Sequence, residues 1–197
     1  MRAGRGVDAL HPNFVVGIGG SAGALPSYKA LLEALPSDTG MAFVIISPMS
    51  PSAHNELALI LESHTKMPVI VASKKMPIRR NHVYVIPSDL DLFIEDDTFI
   101  IISPRAHGQN QIDLFFISLA EAIGARAIGV VLSGYKGDAT RGCKRIKEKG
   151  GITFAQDVSA EVPNMPLMAQ DFGNVDFVMP PEKIAGKLKR LAAEIKT

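Results

Sequence analysis

Phe14-Val15-Val16-Gly17-Ile18-Gly19-Gly20-Ser21-Ala22-Gly23 is an apolar run that breaks into glycines, and it leads into a stretch carrying Leu25, Leu31, Leu32 and Leu35 at helical spacing. The order reads as strand, tight turn, helix. Residues 17–22 satisfy the G-x-G-x-x-A form of a dinucleotide loop, and residues 19–23 satisfy the G-x-S-x-G form of a nucleophile elbow. A dinucleotide site needs an acid at the end of the next strand to hold the ribose hydroxyls. That strand ends Ile45-Ile46-Ser47-Pro48, with no acid. The elbow reading gains, and it puts the Ser21 hydroxyl above the sheet beside the following amide and a helix N-terminus, where an oxyanion is stabilised. A purely structural reading stays open, in which the glycines pack a helix on a strand and Ser21 caps that helix.

The same unit recurs outward from this point. Pro36 and Gly40 end the first helix. A strand is expected over 41–46, a helix over 55–64 with Leu57, Ile60 and Leu61 on one face, and a strand over 68–72. Three close-set strands follow over 82–86, 90–95 and 99–102, with Glu95-Asp96-Asp97 as a polar turn, and read as an antiparallel meander. Then come a polar stretch, a helix over 113–123, a strand over 127–132, a helix over 138–149, a strand over 151–155, a short helix over 165–172, a strand over 175–179 and a helix from Pro181. The expected fold is α/β: a doubly wound, mostly parallel sheet with helices on both faces and a short antiparallel meander at one edge. Such sheets gather their chemistry beyond the carboxyl ends of the strands, which singles out the loops 19–23, 47–51 and 133–138.

Composition bounds the remainder. A chain of 197 residues, 47% hydrophobic and 21% charged, suits one globular domain over 13–197 behind a flexible tail over 1–12. A formal charge of +1 with dispersed basic residues argues against nucleic acid. No apolar stretch approaches the ~20 residues of a membrane span, and residues 1–12 lack the apolar core of a signal peptide, so a soluble, cytoplasmic domain is expected. The single Cys143 has no partner for a disulfide and is expected as a half-buried bystander on a helix.

Two distant segments change the weight of the elbow: Leu132-Ser133-Gly134-Tyr135-Lys136-Gly137-Asp138, and Gly150-Gly151-Ile152-Thr153-Phe154-Ala155-Gln156-Asp157 with Met165-Pro166 after it. With the serine elbow they resemble the catalytic domain of the chemotaxis protein-glutamate methylesterases, the CheB family. That family carries an L-S/T-G-x-x-x-D segment, a G-G-x-T-x-A-Q-D strand and an M-P pair. Asn81-His82-Val83-Tyr84-Val85-Ile86-Pro87 and Val175-Asp176-Phe177-Val178 are similar to further family segments, and the likeness covers residues 13–191.

The resemblance implies Ser21 as nucleophile, Asp138 as the acid that supports a histidine, and the backbone amides of Ala22 and Tyr135 as oxyanion contacts. It implies hydrolysis of glutamate methyl esters on cytoplasmic chemoreceptor helices with no metal or cofactor, and regulation by a receiver domain, which here would be supplied separately. The family's histidine follows the second strand, and Pro48 occupies its place. Proline can neither activate a serine nor protonate methanol. Tyr135-Lys136 and Ala139 also depart from the family pattern. Substitute bases to consider are His54, His107 and Lys136. Two function classes therefore stand: a methylesterase-type hydrolase, or a weak or inactive member acting as a binding or regulatory module. A dinucleotide-binding protein is the remaining alternative.

Overall fold

The computed structural model describes residues 11–48, 53–87, 90–102, 110–135 and 137–194. Each expected element forms. The strand β1 (Val15–Gly19) leads into the helix α1 (Leu25–Ala34), followed by β2 (Ala42–Ile46), α2 (Ala53–Glu62), β3 (Val69–Val71) and β4 (His82–Val85). A hairpin of β5 (Asp91–Glu95) and β6 (Thr98–Ile102) precedes α3 (Gln111–Ile123) and β7 (Ala127–Val131). The chain closes with α4 (Thr140–Glu148), β8 (Ile152–Gln156), α5 (Asn164–Asp171), β9 (Phe177–Met179) and α6 (Pro181–Glu194).

Seven strands form one parallel sheet in the order β3-β4-β2-β1-β7-β8-β9. β1 lies at its centre, with Gly17 in register with Val44 on one side and Gly129 on the other. Every residue of β1, β2 and β7 is buried, as unbroken apolar runs require when a sheet is covered on both faces. Alternation along the strands divides the core in two. Val16, Ile18, Phe43 and Ile45 meet α1, α2 and α6 through Tyr28, Leu31, Leu61 and Leu188. Val15, Val44 and Ile46 meet α3, α4 and α5 through Phe116, Leu119, Ile146 and Met165.

The three close-set strands do not form one meander. β4 lies inside the parallel sheet, between β2 and β3, so both of its hydrogen-bonding edges are taken. Only β5 and β6 pair antiparallel, in a small separate sheet whose Leu92, Ile94 and Phe99 join the core with α3. Residues Pro77 and Thr98 add a bridge from the β3–β4 loop to that hairpin. Two residues placed in the tail by sequence are tied to the domain: the His11 ring meets the Asp97 carboxylate at 3.1 Å, and the Pro12 carbonyl accepts from Arg126 at 3.0 Å.

From β1 the chain moves to β2 on one side, and it later returns to β7 on the other. The carboxyl ends of β1 and β7 therefore flank the point where the strand order reverses, the place where a crevice opens in a doubly wound sheet.

Candidate active site

The elbow after β1 is fastened from both neighbouring strands. Gly20 N–H donates to the Ile46 carbonyl at 3.1 Å and Ser21 N–H to the Ser133 carbonyl at 2.9 Å, after which Ala24 N–H donates to the Ser21 carbonyl at 3.1 Å and α1 begins. The turn needs its glycines. Gly23 has φ of +68°, and a Cβ there would stand 2.9 Å from Ser133 Oγ. At Gly20 a Cβ would collide with the Tyr28 hydroxyl.

The loop after β7 is held as firmly. Ser133 Oγ donates to the Ala22 carbonyl at 2.8 Å and accepts from Val162 N–H at 2.9 Å. Gln156 Oε1, at the end of β8, accepts from both Ser133 N–H at 3.1 Å and Ser27 Oγ at 3.0 Å. This buried glutamine bridges α1 to the post-β7 loop, tying the elbow's helix to its neighbour. Gly134 N–H donates to the Val162 carbonyl and its own carbonyl accepts from Met165 N–H, both at 2.9 Å, which ties the Met165-Pro166 pair to the same loop.

Ser21 lines a cleft of about 190 Å³ between α1 and α2, with Leu25, Tyr28, Ser47, Glu56, Leu57 and Ile60. Among the described residues its Oγ has no hydrogen-bond partner, and the amides of Ala22 and Tyr135 donate to no carbonyl or side chain. Tyr28 is buried and its hydroxyl donates to the Ile46 carbonyl at 3.5 Å; desolvation holds that hydroxyl far above the ordinary phenol range, with the Ser47 side chain opposing. It therefore stays a donor.

Asp138 is buried at the start of the α4 turn and faces the N-terminus of α3. Its Oδ1 accepts from Asp113 N–H at 2.8 Å and Ala139 N–H at 2.9 Å, and its Oδ2 accepts from Ile112 N–H at 3.1 Å. The Asp113 side chain returns the contact by accepting from Gly142 N–H at 2.7 Å, in the first turn of α4. Two helices thus cap each other with one aspartate apiece. Asp113 lies in the first turn of α3, yet its side chain caps the neighbouring helix α4. Burial is the main reason that its carboxyl is raised to about 6; the Gly142 amide opposes this and the Asp138 charge adds to it. The adjacent Cys143 is wholly buried rather than half-buried, and desolvation pushes its thiol up.

The other residues singled out by sequence are scattered. Pro48 follows β2 and is partly buried. His54 sits in the first turn of α2, its Nδ1 buried without a hydrogen-bond partner among the described residues, and it is not among the cleft residues. His64 is paired with Glu33 at 2.5 Å, and His82 with the Arg80 carbonyl at 2.8 Å. Tyr135 is 67% exposed beside the elbow. Lys136 and His107 lie outside the described residues. Sequence reasoning missed Glu56, because a glutamate in a first helical turn reads as a dipole effect and its nearness to Ser21 depends on how α2 packs beside α1. Among the described residues no three histidine, cysteine or acidic side chains are grouped to hold a metal. No helix among them is long and apolar enough to cross a membrane.

Comparison with known proteins supplies the family. The family model described as CheB methylesterase matches residues 16–188. The chain belongs to the CheB methylesterase family. A homologue in Leptospira interrogans is 35% identical over 178 residues, covering 88% of this chain and 92% of its own length. The protein-glutamate methylesterase/protein-glutamine glutaminase of Hydrogenovibrio crunogenus is 32% identical over 187 residues; these are 89% of this chain but 50% of that protein. The crystal structure of the Thermotoga maritima CheB methylesterase catalytic domain superposes with a TM-score of 0.84 at 28% identity, covering 90% of this chain and 98% of that one. The α/β architecture is therefore that of the CheB catalytic domain.

Proposed function

We propose that this CheB-family domain binds glutamate-derived methyl esters of chemoreceptor-type helices at the Ser21 elbow, and that its hydrolytic step is slow. In this reading it serves mainly as a recognition or regulatory module in the cytoplasm. Ser21 is the residual nucleophile, Asp138 the acid of the site, and the Ala22 and Tyr135 amides the oxyanion contacts. A receiver domain or another signalling protein is the proposed regulator, and no cofactor enters the scheme.

The observation that carries the reading is the Ser21 hydroxyl, which has no hydrogen-bonding base among the described residues while Pro48 stands where the family pattern has histidine. A missing general base costs about 10²–10⁴ in rate, while oxyanion and binding contributions leave a residue of catalysis over water. The binding half of the machine fits better with what is preserved: the locked elbow, the unused amides and the cleft.

The test is reconstruction. Hydrolysis of a methylated chemoreceptor cytoplasmic fragment and of a small ester is measured for the native chain, Ser21→Ala and Pro48→His. The native chain is expected at background or slightly above it, and Pro48→His is expected to gain about 100-fold or more, a gain that Ser21→Ala removes. Fast native hydrolysis that survives Ser21→Ala would sink the proposal.

A further inference from the structure

The cleft beside Ser21 is small. Its 190 Å³ falls below the roughly 300 Å³ at which pockets for drug-sized ligands begin, so it suits a single side chain. Its walls are mostly aliphatic: Leu25 from α1, and Leu57 and Ile60 from α2. Ser47 and the protonated Tyr28 hydroxyl supply neutral polar groups. One lining residue carries a charge, Glu56.

Glu56 is one of the helix acids that no cation neutralises among the described residues, with Glu62, Asp171 and Glu182, and of these four it alone lines the cleft. Glu121 is paired with Arg145 and Lys149, Glu148 with Arg145, and Glu33 with His64. Glu56 is exposed at the cleft and has no hydrogen bond or ion pair with any described residue. Its place in the first turn of α2 accounts for a tolerated negative charge. It leaves unexplained why that charge borders an aliphatic cleft. An anionic side chain entering there would meet like charge, and a purely aliphatic one would use the apolar walls alone. A side chain with an aliphatic stem and a cationic tip matches both surfaces.

We propose that the cleft is a recognition pocket for a lysine or arginine side chain of the ligand protein, with Glu56 as the specificity-determining residue. The proposal rests on the reading that the Ser21 site receives a protein side chain. On a helical ligand, residues three or four apart have their Cβ atoms about 5–6 Å from one another. A basic residue one turn from the glutamyl group therefore enters the cleft while that group faces Ser21.

The probes are two blocked helical peptides with a central glutamine in place of the methyl ester. One has lysine four residues away, and the other has norleucine there. Binding is followed by the NMR shifts of the Ser21, Leu57 and Ile60 amides. The lysine peptide is expected to bind about fivefold or more tightly than its norleucine counterpart, and Glu56→Gln is expected to reduce that preference below twofold with the rest of the spectrum unchanged. Equal affinities, a preference that survives Glu56→Gln, or shifts that leave the cleft residues untouched would each overturn the assignment. Lysine preference without rescue of hydrolysis by Pro48→His removes only the catalytic part of the functional reading. Rescue without lysine preference removes only the role given to Glu56.

Discussion

Removing the Asp138 carboxylate would strand three amides, those of Ile112, Asp113 and Ala139. If Asp138 served only to orient a catalytic group, its loss would leave stability unchanged. As an acceptor at the end of α3 it carries structural weight, because a buried amide without a partner costs about 1–3 kcal/mol. Asp138→Ala is therefore expected to lose about 3 kcal/mol, a fall in Tm of roughly 6–12 °C for a domain of this size, read by thermal unfolding. An unchanged Tm would return Asp138 to a purely catalytic account. Its neighbour Ala139 has φ of +83°, a left-handed conformation that costs a side-chain-bearing residue about 1–2 kcal/mol. Sequence reasoning located both residues. It did not reveal the reciprocal capping, because Asp113 and Asp138 lie 25 positions apart and meet only when α3 packs against α4.

The joint between α3 and α4 is also where pH enters. Asp113 faces the Asp138 carboxylate, the Gly142 amide, Arg141 and Cys143, and its carboxyl is raised from 3.8 to about 6, chiefly by burial. Between those values the folded chain keeps a proton that the unfolded chain has released, so νU is smaller than νN and stability falls as pH rises. The contribution is fully present below about 4 and lost by about 6. Urea midpoints measured across that interval are expected to decline with pH from this joint, and Asp113→Asn is expected to flatten the decline; an unaltered profile in the variant would dismiss Asp113 as its source. At this scale most elements were legible, since buried parallel strands read as short apolar runs between helical patterns. The expected meander was the exception. Short connections suggest antiparallel pairing, yet β4 gives one edge to β2 and the other to β3, leaving the next two strands to pair with each other and lodge Phe99 against Tyr84, ring centroids 5.0 Å apart.

Across the whole molecule, a central sheet with helices on both faces leaves Cys143 at 0% exposure on the inner face of α4, in the core layer shared with α3. Its thiol is both desolvated, hence pushed up in pKa, and closed to solvent, so a thiol reagent reaches it only when the layer opens. Labelling by a disulfide reagent is then a measure of opening rather than of thiol chemistry. In the native chain the rate is expected to be slow, independent of reagent at high concentration, and to rise in step with urea-induced unfolding. Asp138→Ala loosens the α3–α4 joint directly and is expected to speed labelling, whereas Glu56→Gln, on the opposite face of the sheet, is expected to leave it unchanged. Rapid labelling of the native chain, or equal acceleration by both variants, would show that the two faces do not hold the thiol as the packing implies.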